Sequence, residues 1–410
     1  MSEQTGLLDL KHDFNRFTFC IDVAFVKYAV KGTERTRKHA ILMLKNKITN
    51  KAIIHPLTAF IHWKWKYKEY NTQRLQGVHL AQFLNYLLID NRKKYKLTSL
   101  SAIKIIHGTD FLNYLLIKGN SNRSVKNVER TLSYFYLFLY EKGMLYNTDF
   151  SNKDENVFNP MYSKEFSYDL ERNKKAIEHT LPHGLILTFL RTAVATSPSI
   201  ALAIYLSVFG GLRAGEIVNI KLSDITPYGD QYGKGGLLIH LRTRNLRTDI
   251  KDTSGTSRVK RERKQFVYSV GELLPNLYKK HLFELQQKLG KELGMDSPLF
   301  TNRNGKALTG KSLRDSFEKV KRKFLYELSS SQNPDLMITA INLQSTKWSF
   351  HVGRGTFTNI LAKKAKNPYD IALPRGDKSI ISSLAYMSDT EEMKRNIEEL
   401  INNIQAEKIR

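Results

Sequence analysis

The chain has 410 residues, 65 Lys and Arg against 39 Asp and Glu for a formal charge of +26, and one cysteine, Cys20. At about 150 residues per domain, that length predicts two or three domains with substantial cores. So large a cationic excess predicts a polyanionic partner, nucleic acid ahead of an anionic membrane surface, and a lone cysteine excludes an internal disulfide and a cysteine-built zinc site and fits a reducing compartment.

No apolar run approaches the roughly 20 residues of a spanning helix, and Met1–Leu10 lacks the basic start and apolar centre of a signal peptide. A cytoplasmic protein is expected, nucleoid-associated in a bacterial host, with no membrane partner. Residues 1–65 form a basic region of open role. Cys20 lies in the apolar run FTFCIDVAF and reads as a buried small residue. From Glu34 to Ile48, ERTRKHAILMLKNKI reads as a basic amphipathic helix, either lying on DNA or turning an ordinary solvated face outward.

Helical periodicity dominates residues 66–146. HLAQFLNYLLID sets Leu80, Phe83, Leu84, Leu87 and Leu88 on one stripe, and SVKNVERTLSYFYLFLYEKGML does the same with Val125, Val128, Leu132, Phe135 and Leu139. Ser124 is the expected N-cap of the second helix and Gly143 its stop. Residues 147–173, with NKDENVFNP at their centre, are polar and aperiodic, and read as a linker to a second domain spanning 174–387. There Ile200, Ile204 and Val208 predict a core helix that runs into Gly210 and Gly211, where the chain turns to present Arg213. Glu216, one helical turn further on, can hold that guanidinium.

The stretch GGLLIHLRTRNLRTDIKDTSGTSRVKRERKQFVYSV is rich in β-formers at both ends and reads as a long β-hairpin turning at SGTS. Most of its basic residues, Arg258, Lys260, Arg261, Arg263 and Lys264, are expected on a solvated strand edge or against phosphates. Downstream, His351 and Arg354 stand three residues apart, so that on a helix both can donate to one anion. Over 388–410, Ser388 or Asp389 can cap a helix whose Ile397, Leu400, Ile401 and Ile404 form a stripe in need of a partner.

The succession GLRAGEI, LSDI, HVGRGTF and SIISSLAY resembles the tyrosine recombinase (phage integrase) family of transposon and phage integrases. The resemblance implies an all-α core-binding (SAM-like) domain followed by a mainly α catalytic domain with a small antiparallel β-sheet and hairpin, the two closing round DNA as a clamp. It implies Arg213 and Arg354 as phosphate ligands, His351 as a further donor or proton acceptor, and Tyr386 as nucleophile. Tyr369 is too close to Arg354 for the family spacing. Lys251, just before the hairpin turn, takes the place of the family's general acid, with Lys260 and Lys264 as rivals. Asp377, nine residues before Tyr386, stands where the family has His or Trp. A carboxylate there must be protonated, contact another side chain, or face away.

The implied activity is site-specific cleavage and rejoining of double-stranded DNA through a 3′-phosphotyrosyl intermediate, with no metal, ATP or other cofactor. The implied partners are the DNA itself, copies of the chain in a tetramer on paired sites, linked through the 388–410 tail, and accessory DNA-bending proteins. A topoisomerase of type IB chemistry, or a catalytically impaired DNA-binding relative, would share most of these residues.

Overall fold

The computed structural model of the chain describes residues 14–30, 33–145, 179–251, 253–290, 293–363 and 365–377. The expected linker, Tyr386 and the tail from Ser388 lie outside the described residues. The chain divides into two compact units, Met1–Lys174 and Lys175–Arg410.

The first unit opens with an antiparallel sheet of β1 (Phe17–Val30), β2 (Thr33–Asn46) and β3 (Ala52–Ile54), in that order, with Ile21 opposite Leu42. The helix expected over 34–48 is therefore a strand. Its apolar run AILML fits either period, and the choice came from a partner remote from any helical pattern: β1 is rich in β-branched and aromatic residues. In the paired register Phe19 and Val23 on β1 are buried, as are Ala40 and Leu42 on β2. Cys20, opposite Met43, is half-buried.

Behind the sheet come α1 (Thr58–Trp65), α2 (Tyr70–Leu84) running into a π-helical turn at Asn85–Asp90, α3 (Arg92–Tyr95), α4 (Ile105–Ile117) and α5 (Asn122–Glu141). Gln73 on α2 is wholly buried: its Oε1 accepts from the Ala40 amide at 3.0 Å and its Nε2 donates to the carbonyls of Lys66 and Lys68 at 3.1 and 2.9 Å. The helical layer is thereby tied to β2. Both predicted stripes face one core, which holds Leu80, Phe83, Leu84 and Leu87 with Val125, Val128, Leu132, Phe135 and Leu139, while Leu88 packs at its margin. The cap of α5 is Ser121, whose hydroxyl accepts from the Ser124 amide at 3.2 Å, so the expected cap at Ser124 moves back by three residues. Gly143 does stop the helix: at φ +64° its amide reaches the Tyr140 carbonyl and that of Met144 reaches Leu139.

The second unit is mainly helical around a small sheet. It comprises α6 (Ile186–Thr196), α7 (Pro198–Gly210), α8 (Ala214–Ile217), the antiparallel strands β4 (Ile225–Tyr228), β5 (Gly236–Leu241) and β6 (Arg263–Val267), then α9 (Leu273–Leu289), α10 (Gly310–Ser329), α11 (Pro334–Ser345), α12 (Val352–Ala362) and α13 (Pro368–Arg375). The predicted core helix is α7, with Ile200, Ile204 and Val208 buried; it is apolar all round because it packs against α6, α9 and α12 at once.

The long hairpin is a short one. Its ladder runs only from Leu237 opposite Val267 to Leu241 opposite Arg263. The residues between make local side-chain bonds and bonds to other elements instead of extending the ladder. Arg244 grips Asp224 at 2.7 and 2.9 Å, Arg247 grips Asp249 at 2.7 and 3.1 Å, and Ser254 meets Thr256 at 2.8 Å. Asn219 then draws the loop inward, its Nδ2 donating to the Ser257 carbonyl and, at 2.7 Å, to that of Gly215. No described helix is long and apolar enough to cross a membrane.

Candidate active site

Arg213 is delivered by the end of α7. Gly211 adopts φ +65°, with the Phe357 ring packed where a side chain would otherwise project, and so turns the chain into α8. Arg213 occupies the N-cap of α8, and Glu216 folds back on it as expected: Oε2 accepts from the Arg213 amide at 2.8 Å and Oε1 from its Nη1 at 3.0 Å. A second arginine completes the arrangement. Arg263 on β6 donates to both oxygens of Glu216, at 2.6 and 3.2 Å. Burial alone would raise the Glu216 pKa, yet Arg263 and Arg213 hold it below its ordinary value, so a fully buried carboxylate stays ionised.

Arg263 was expected on a solvated edge; its side chain is 8% exposed. On β6 it shares one face with Gln265 and Val267, at period two. Its Nε donates to Gln265 Oε1 at 3.0 Å, and Gln265 in turn donates to the Pro374 carbonyl at 2.6 Å. The strand thus supports both the arginine at the start of α8 and the last turn of α13. Gln265 was not singled out from the sequence, and Arg263 was placed on the wrong face; the available signal was their period-two spacing with the buried Val267.

Arg354 lies in the first turn of α12 and is 1% exposed. Its Nη1 donates to the Gly211 carbonyl, and its Nη2 to the Arg375 carbonyl at 3.2 Å and to Asp377 Oδ1 at 2.9 Å. Burial, with Arg213 close by, presses its pKa down to about 9, so it remains a cation at neutral pH. Asp377 follows Gly376, whose φ of +65° ends α13. The same Oδ1 accepts from Arg213 Nη2 at 3.3 Å, and Oδ2 lies 3.2 Å from Arg375 Nε. Of the three expectations for Asp377, contact with other side chains is the one realised. Burial pushes its pKa up, but Arg354, Arg375 and Arg213 together outweigh that and lower it, leaving a carboxylate. Arg375, buried and also missed from the sequence, is a third arginine of the cluster; its only signal was its place directly before Gly376 and Asp377.

His351 occupies the N-cap position of α12, makes no side-chain capping bond, and is exposed. Surrounding protein atoms and the charges of Arg354, Arg213 and Arg375 all lower its pKa from 6.5, so the ring is neutral at pH 7 and can give or take one proton. Lys251 is exposed and lines a cleft with Asn219, Thr256 and Lys311, beside the loop pinned to α8. Lys260 and Lys264 are exposed too, Lys264 on β6 opposite His240. Tyr369 projects from α13 and is 66% exposed. The structure therefore gathers Arg213, His351, Arg354 and Asp377, and sets Lys251 on the neighbouring loop.

No protein-family profile matches the chain, and no curated protein does. Solved structures are similar. The Tn1549 transposon integrase in complex with transposon right end DNA is 16% identical, over 84% of this chain and 98% of that one, with a TM-score of 0.54. The XerH site-specific recombinase bound to palindromic difH substrate, a post-cleavage complex, is 17% identical over 82% of this chain and 81% of that one, at 0.53; its pre-cleavage complex gives 18%, 77%, 77% and 0.50. The chain thus shares the fold of these recombinases: a mainly helical unit with a small antiparallel sheet.

Proposed function

We propose that the chain is a site-specific DNA recombinase of the tyrosine type, which cleaves and rejoins strands of double-stranded DNA. The observation that carries this reading is the convergence of Arg213 and Arg354 on a single oxygen, at 3.3 and 2.9 Å, on a fold shared with site-specific recombinases and an integrase. A nonbridging phosphate oxygen in that place would meet two fixed cations whose orientation is set by Glu216 and by backbone carbonyls. Preorganised charge of this kind is worth about 10²–10³ in rate per donor. The formal charge of +26 supports a polyanionic substrate.

The Tyr386 oxygen attacks the scissile phosphorus, and His351, neutral at pH 7, accepts its proton or donates to a nonbridging oxygen. The P–O5′ bond breaks as the P–O bond to tyrosine forms, giving a 3′-phosphotyrosyl enzyme, and Lys251 supplies the proton of the departing 5′-hydroxyl. Attack by a 5′-hydroxyl from another duplex reverses the step and exchanges strands. In this reading residues 66–146 bind DNA, 174–387 carry out the chemistry, and 388–410 join protomers in a tetramer on paired sites. A catalytically impaired DNA-binding relative draws on one observation, the carboxylate of Asp377 among the arginines.

The test is covalent capture on nicked duplexes that lose the 5′-hydroxyl fragment after cleavage. A protein–DNA adduct that survives denaturation is expected. Its absence with duplexes carrying a randomised site would leave a binding protein. A two-site plasmid assay then separates recombination from relaxation.

A further inference from the structure

The carboxylate of Asp377 sits where the proposed function puts the substrate phosphate, and the inference below rests on that reading. One oxygen, Oδ1, takes both clamp guanidiniums, while Oδ2 is held by Arg375, 3.2 Å from its Nε. The side chain is 12% exposed, so it can be reached from solvent. The charges explain why it is there. Glu216 is matched by Arg263 and shares Arg213, while Arg354, Arg375 and the other half of Arg213 converge on Asp377 as a counter-ion. Without an anion, those like charges repel at short range in a weakly screened site.

A phosphodiester and a carboxylate cannot both occupy one oxygen position between two arginines, because two anions at that separation repel. Asp377 need not leave, however. Rotation about its own side-chain bonds releases Oδ1 from Arg213 and Arg354 while Arg375 keeps the carboxylate. We propose that Asp377 is a resident stand-in for the phosphate, holding Arg213 and Arg354 in clamp geometry while the site is empty and passing to Arg375 when a phosphodiester enters. Arg375 is then a positioning residue: it acts on substrate through Asp377. The arrangement weakens the hold on any anion by the fraction of time the clamp is already filled.

Orthovanadate, a mimic of the pentavalent phosphoryl group, is the probe, titrated calorimetrically into the full chain at fixed ionic strength. If the clamp is open about one-tenth of the time, Asp377→Asn binds vanadate about tenfold more tightly than the wild type. That gain disappears when Arg213→Ala is added. Arg375→Met alone weakens binding, since Asp377 loses its alternative partner, but has no effect in the Asp377→Asn background; a merely structural arginine would act equally in both. Should Asp377→Asn fail to fold, Asp377→His, which has no fixed negative charge, is titrated instead. Equal, weaker or undetectable vanadate binding by the neutral variant overturns the proposal. If vanadate binding by the wild type is indifferent to Arg213→Ala and Arg354→Ala, the fault lies with the proposed active site itself.

Discussion

Two carboxylates in the second unit each gather arginines, and they differ in how they are held. Glu216 is sealed between α8 and β6; both of its oxygens are used by Arg213 and Arg263, and its side chain is wholly buried. Asp377 lies beyond the end of α13, partly solvated, and bridges Arg213, Arg354 and Arg375. Arg213 belongs to both, with Nη1 on Glu216 and Nη2 on Asp377. The chemistry of the two pairings is the same, and burial separates their roles. A dry ion pair with every lone pair used is costly to open and serves as a fixed support, whereas one at the solvent boundary can exchange its partner for an incoming anion.

The largest expected effect is that of Tyr386→Phe. On the proposed mechanism it removes the attacking oxygen, so the covalent adduct should vanish while DNA affinity, measured by anisotropy, stays unchanged. An adduct formed by this variant would name another nucleophile.

Lys251→Ala should slow cleavage by about 10²–10⁴, the usual contribution of a general acid, and a substrate with a 5′-bridging phosphorothiolate should restore it, since a thiolate leaves without a proton. Rescue of Lys260→Ala or Lys264→Ala instead would move the acid further along the connection.

Arg354→Ala and Arg213→Ala should each cost about 10²–10³ in single-turnover cleavage. A near-normal rate in either would break the clamp assignment.

The comparison itself is sharpened by neutralising each carboxylate in turn. Glu216→Gln strands two arginines on a buried neutral group and should cost about 3–5 kcal/mol, read as a lower urea midpoint; Asp377→Asn, partly solvated, should cost less. Equal losses would mean that the two networks are held alike. The sign with pH follows from the lowered pKa of Glu216: its contribution is complete above its unfolded value of about 4.5 and is lost as pH falls through the lower folded value. The stability of Glu216→Gln should therefore depend less on pH on the acid side.

Local pattern was enough for much of this protein. The stripes of α2 and α5 and the core helix α7 follow from apolar spacing alone, because burying one face of a helix is a property of neighbours in sequence. That Arg213, Glu216, His351 and Arg354 belong together was legible because the motifs that contain them are short and ordered, and Asp377 stood out by its spacing. What the sequence could not decide were the choices made by distant partners. β2 became a strand because β1 lay alongside to pair with it. The ladder ended at Leu241 and Arg263, and the connection is held elsewhere: Asn219 takes the Ser257 carbonyl, and Asp224 the Arg244 side chain. Arg263, Gln265 and Arg375 were indistinguishable from surface residues until β6 and the end of α13 met, and ionic and hydrogen-bonding partners separated by scores of residues are assigned only when folding brings them within reach.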